Sequence, residues 1–139
     1  MIRRFEDLEV WQIARELAKG VYRATESQPL GKDYALSNQM KRSVVSISSN
    51  IAEGFERGTR KQHIEACYIA KGSAGELRSQ VVVAHYVGLL DSQACSWLSE
   101  RCESCSRMLA AYIKTLKQTR DQFPGIKYEQ PQSSEAATH

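Results

Sequence analysis

An antiparallel bundle of four helices is the fold this sequence predicts, on three observations. Apolar residues recur at steps of three and four through four long segments. No run alternates convincingly with period two, and capping or helix-breaking residues separate the segments. The chain of 139 residues is a prior for one domain, and its 42% hydrophobic and 25% charged residues suit a soluble globular protein. Residues 1–120 read as the bundle domain and residues 121–139 as a disordered acidic tail.

The first helix reads from Asp7 to Glu26. Val10, Ile13, Ala14, Leu17, Val21 and Ala24 form one face, widened by Leu8, Trp11, Ala18 and Tyr22. Pro29 and Gly31 then mark a loop. The second helix spans 33–57, with Asp33 as its N-cap and Met40, Val44, Ile47, Ile51 and Phe55 as its stripe. Gly58 ends it, and Thr59 with Gln62 makes a capping box for the third helix, 60–88. So short a connection makes these two helices antiparallel neighbours. Ile64, Cys67, Ala70, Ala74, Leu77, Val81 and Ala84 point inward. Asp91 or Ser92 caps the fourth helix, 92–119, whose stripe is Cys95, Leu98, Cys102, Cys105, Leu109, Tyr112 and Leu116, at the alternating spacing of a bundle seam. Beyond it the chain has two prolines, a glycine and no period.

A second, polar stripe runs along the second helix through Ser43, Ser46 and Asn50. In a hairpin turning at Gly58, Asn50 faces Cys67, Ser46 faces Ala70 or Lys71, and Ser43 faces Gly72–Gly75. Small residues meet small residues, so the stripe reads as a close helix contact rather than a catalytic cluster built on Asn50 and Glu53. Ser43, Ser46, Asn50, Glu53, Gly54, Gly72, Ser73 and Glu76 are the candidate packing motif.

These segments resemble a known family. "FEDLEVWQIARELAKGVY", "QMKRSVVSISSNIAEG" and "IAKGSAGELRSQVVVAHYVGLL" are similar to the bacterial four-helix bundle proteins, also called 23S rRNA intervening-sequence proteins. The resemblance covers roughly residues 3–118, and "SNIAEG" followed by "AKGS" is its most specific part. It implies an antiparallel bundle assembled into a homopentameric ring, with a biochemical role that is largely undefined. A related bundle family of diversity-generating retroelements binds nucleic acid, which makes RNA or DNA an expected partner by analogy.

Charge is unevenly shared. Residues 1–120 hold 18 Lys/Arg and 13 Asp/Glu, or +5, and residues 121–139 hold 1 and 3, or −2, which gives the overall +3. This mild basicity permits a phosphate-bearing partner without demanding one. Lys41, Arg42, Arg57, Arg60, Lys61, Lys71 and Arg78 are the candidate nucleic-acid contacts, and in a ring each patch would be repeated. Trp11, Tyr22, Trp97 and Met108 lie off the inward stripes and are the candidate oligomer contacts, with Trp97 and one edge of the first helix forming the ring interface.

Recognisable reaction chemistry is sparse. Cys102-x-x-Cys105 lies on the inward stripe and reads as core, not as a zinc or redox pair. No Glu has His three positions later, as a bundle di-iron site needs. His63 reads as surface and His85 as a partly buried hydrogen-bonding residue rather than a base. P-loop, dinucleotide, nucleophile-elbow and deaminase signatures are missing. The expectation is a non-enzyme with no cofactor or metal. With no apolar N-terminal run and no membrane-length segment, it is also expected to be cytoplasmic with reduced thiols and no membrane partner. Two functional readings stand: an oligomeric adaptor that binds RNA or DNA weakly, and a purely protein-binding or structural oligomer.

Overall fold

The structure, a computed structural model, describes residues 2–118, so the predicted tail and the last residue of the fourth predicted helix lie outside the described residues. Four helices run in order: α1, Glu9–Glu26; α2, Tyr34–Glu56; α3, Arg60–Tyr86; and α4, Ser92–Gln118. No strand occurs among the described residues. With 27 residues each, α3 and α4 are about 40 Å long. Each helix packs against its neighbours in the chain, α1 also closes against α4, and the α2–α3 and α3–α4 pairs are the most intimate.

The helix ends follow local chemistry. Asp33 Oδ1 accepts the Leu36 N–H at 3.0 Å and starts α2, and Asp91 Oδ1 accepts the Ala94 N–H at 2.7 Å and starts α4. Thr59 Oγ1 accepts the Gln62 N–H at 3.2 Å at the head of α3. Helix α3 ends in a Schellman turn: the Leu89 N–H reaches back to Ala84 O and the Gly88 N–H to His85 O, with Gly88 at φ +84°. That left-handed geometry suits glycine because it has no Cβ.

Helix α1 begins two residues later than the periodicity predicts. Phe5–Asp7 form a separate 3₁₀ turn, and Leu8 stays extended and buried at the head of α1. The Phe5 and Trp11 rings meet edge to face at 5.2 Å and hold that turn on the bundle. The predicted loop contains another 3₁₀ turn, Leu30–Lys32, in which Leu30 is buried and its carbonyl accepts the Ser37 hydroxyl at 2.8 Å.

One core runs the length of the bundle. Val10, Ala14, Leu17 and Val21 of α1 meet Met40, Val44, Ile47, Ile51 and Phe55 of α2. Cys67, Ala70, Ala74, Leu77 and Val81 of α3 and Leu98, Cys102, Cys105 and Leu109 of α4 complete it. Ile113 is also buried, a position that the predicted α4 stripe passed over in favour of the half-buried Tyr112. The three innermost thiols are inert by burial, which pushes Cys67, Cys102 and Cys105 up to about 12. Thiolate is the reactive form. An alkylating reagent at mildly alkaline pH is therefore expected to modify half-buried Cys95 quickly and the other three only as the protein unfolds. Mass spectrometry of the native protein gives the order, and rapid labelling of Cys102 would show that the inner face of α4 opens.

Candidate nucleic-acid interface

The polar stripe of α2 does meet α3, one helical turn further along α3 than predicted. Ser43 Oγ donates to Glu76 Oε1 at 2.9 Å, and Ser46 Oγ lies 2.8 Å from Ser73 Oγ. The shift arises in the turn, where Arg57 and Thr59 are extended and carry the chain past the end of α2 before α3 starts back. Asn50 does not cross to Cys67; its Nδ2 donates within α2, to Ser46 O at 2.8 Å and Ser46 Oγ at 3.1 Å. Gln80 Nε2 joins Glu76 Oε1 at 3.3 Å.

At Gly54 the two helices come into close contact. A Cβ there would lie 2.7 Å from the Ala66 Cβ and 3.0 Å from His63 Cδ2. Two members of the predicted motif sit elsewhere: Gly72 is exposed and faces open space, and Glu53 is exposed and binds Arg57. The sequence alone could not separate seam from outer face here, because α3 carries small residues on both. Replacing half-buried Ser46 by Leu would remove its contact with Ser73 and overfill the seam, an expected loss of about 1–3 kcal/mol. Chemical denaturation checks this, and parental stability would take Ser46 out of the seam.

The seven candidate cations have different surroundings. Lys41 Nζ sits 5.3 Å from the Tyr22 ring centroid, Arg57 binds Glu53 one turn back, and Arg78 Nη2 lies 2.8 Å from Glu103 Oε1. Arg60 is half-buried at the first turn of α3, and Lys71 is half-buried further along it. Arg42 and Lys61 face solvent on α2 and at the turn.

A second basic surface went unread in the sequence. Helices α1 and α4 form a groove of about 370 Å³ floored by Ala24, Ala94, Leu98 and the Trp97 ring, with Lys19, Arg23 and Glu16 on its α1 side. Gly20 makes room for Trp97, since a Cβ there would collide with the ring. The Arg101 guanidinium stacks on the indole at 3.8 Å from its centroid, yet Arg101 does not line this groove. The indole thus stands as a partition, with Arg101 on one face and the cavity beside it. Lys19 and Arg23 are exposed and, unlike Arg57 and Arg78, make no ion pair among the described residues. The legible signal was Gly20, a helix-interior glycine whose cost of about 1 kcal/mol against alanine is offset here by the close approach of Trp97.

The four candidate oligomer contacts differ in exposure within the single chain. Trp11 and Met108 pack on the chain's own core and Trp97 is 37% exposed, while Tyr22 is exposed beside Lys41. Helix α1 touches both α2 and α4, so its wide apolar face is used within the bundle. The exposed apolar groups lie mainly on α3 and its C-cap: Tyr68, Ile69, Val82, Val83, Tyr86 and Val87, with Tyr86 89% exposed.

His63 is not at the surface as expected, and His85 makes its expected hydrogen bond but is more exposed. His63 is fully buried between Phe55 and Tyr112, with ring centroids at 6.1 and 5.3 Å, and desolvation lowers it to about 4. The α2 turn approaches over Gly54 and covers it. His85 is exposed, with Nδ1 2.9 Å from Leu90 O. Among the described residues no group of three or more His, Cys, Asp or Glu converges as a metal site would require, and no helix is long and apolar enough to cross a membrane.

A family model described as the 23S rRNA-intervening sequence protein matches residues 6–111. The chain is also similar to a solved structure, a protein with unknown function from the S23 ribosomal protein family of Bacteroides thetaiotaomicron. That likeness has 22% identity and a TM-score of 0.71, covers 76% of this chain and 96% of the other, and speaks to the fold alone. No curated protein matches the chain.

Proposed function

We propose, from the premise that this chain belongs to the 23S rRNA-intervening sequence protein family, that it is a non-catalytic homo-oligomeric adaptor that engages RNA weakly. The outer face of α3 carries this reading. A helix apolar on its outside as well as its inside is one that expects cover, and Tyr, Val and Ile there suit a subunit contact. The resemblance supports a pentameric ring, in which each solvent-facing cation, such as Arg42 and Lys61, would recur in every subunit. Repetition turns weak single contacts into useful affinity.

The internal engagement of Lys41, Arg57 and Arg78 favours the second reading, an oligomer that binds only protein. Salt titration separates the two. For the adaptor, log affinity for single-stranded RNA falls linearly with log salt, with a slope of about −0.7 per phosphate contacted. An assembly that binds no RNA even at low salt would leave the protein-binding reading. Light scattering checks the other half, since a monomer mass at micromolar concentration would end the oligomer claim.

A further inference from the structure

The geometry points to the α1–α4 groove as a nucleotide subsite, where one unpaired base of single-stranded RNA stacks on Trp97 and the flanking phosphates lie on Lys19 and Arg23. This rests on the RNA-adaptor reading and assigns it a site apart from the cations of α2 and α3.

Three independent features converge. First, the Trp97 ring is held in place by the missing side chain at Gly20 along its edge and by Arg101 on one face, while the ring also borders the cavity. An aromatic plate fixed in this way meets a base without first losing rotamer freedom, and stacking is indifferent to sequence because every base has a π face. Second, the cavity of about 370 Å³ lies near the lower end of the roughly 300–1,000 Å³ found for small-ligand sites. Its apolar floor of Ala24, Ala94 and Leu98 suits a flat ring. Third, Lys19 and Arg23 are one turn apart, about 6 Å along the helix. Neither is committed to a carboxylate, unlike Arg57 and Arg78, so their charge remains available to the backbone. Glu16, a turn before Lys19 and 3.9 Å from Arg15, biases the phosphates towards Arg23. A purely apolar peptide would fill the floor but leave this cationic rim without a counterpart. A duplex would offer phosphates but no free base.

The test uses the full-length protein carrying Trp11→Phe, so that Trp97 alone reports, titrated with a short single-stranded RNA of mixed sequence at low salt. Trp97 emission should be quenched on binding, whereas a duplex of the same sequence should bind with little quenching. Lys19→Gln with Arg23→Gln, both exposed and so safe for the fold, should weaken binding about tenfold, and Trp97→Leu by a similar factor. If RNA binds without quenching and these variants bind like the parent while Lys61→Gln loses affinity, the groove proposal fails and the adaptor reading survives. If the parent binds no RNA at low salt, both fail. Quenching by an apolar peptide but not by RNA would reassign the groove to protein.

Discussion

Phe55→Ala is expected to cost about 3–5 kcal/mol, the largest loss from any single truncation considered. Phe55 fills the last turn of α2 with 1% of its surface exposed, its ring centroid 6.1 Å from that of His63 in a T-shaped pair. What makes the cavity expensive is the residue before it. Gly54 already brings α2 against Ala66 and His63, so backbone contact blocks the collapse that would refill the space. Domains of this size have a total stability of about 5–15 kcal/mol, so the variant should be marginally folded at best. Urea denaturation with an unchanged slope measures the loss. A cost near 1 kcal/mol would mean that this end of the bundle relaxes, and that the Gly54 contact is softer than its geometry implies.

The same few residues show what sequence could and could not convey. The stripe of Met40, Val44, Ile47, Ile51 and Phe55 is a property of one helix, and every member is buried as periodicity requires. The caps at Asp33, Thr59 and Asp91 are equally local, settled by a side chain and an N–H three residues on. Register between helices is not local. A turn containing two extended residues moved Ser46 from the level of Ala70 to Ser73, and no pattern within α2 or α3 encodes that step.

Exposure fails for a related reason. Periodicity says that Trp11 is off the main seam, but only the fold reveals that it packs on the core with the Phe5 ring against it. The basic surfaces were the least legible part. A cation reads the same in sequence whether it is committed, as Arg78 is to Glu103, or uncommitted, as Lys19 is. Gly20 was the one visible trace of the α1–α4 groove, and it was ambiguous, because Gly72 also interrupts a helix yet faces open space.

Acid is expected to destabilise the bundle through His63 well before the carboxylates titrate. Read as a surface residue, His63 is instead sealed by Phe55, Tyr112 and the backbone at Gly54, and desolvation lowers it from 6.5 to about 4. The sign follows from which state takes the proton. Between about 4 and 6.5 the unfolded chain protonates this imidazole and the folded chain does not, so stability falls as the pH drops through that window. Above 6.5 both states are neutral and the effect vanishes. Near pH 4 the accumulated loss is of the order of 3 kcal/mol, at 1.36 kcal/mol for each pH unit separating the two states. His63→Leu keeps a similar volume without a titratable group, so its stability curve should lack this descent and cross that of the parent in mild acid. Denaturation midpoints of both proteins between pH 7 and 4 provide the measurement. Parallel curves would show that water reaches His63, and the packing of α2 over the first turn of α3 would then have to be looser than the Gly54–Ala66 approach describes.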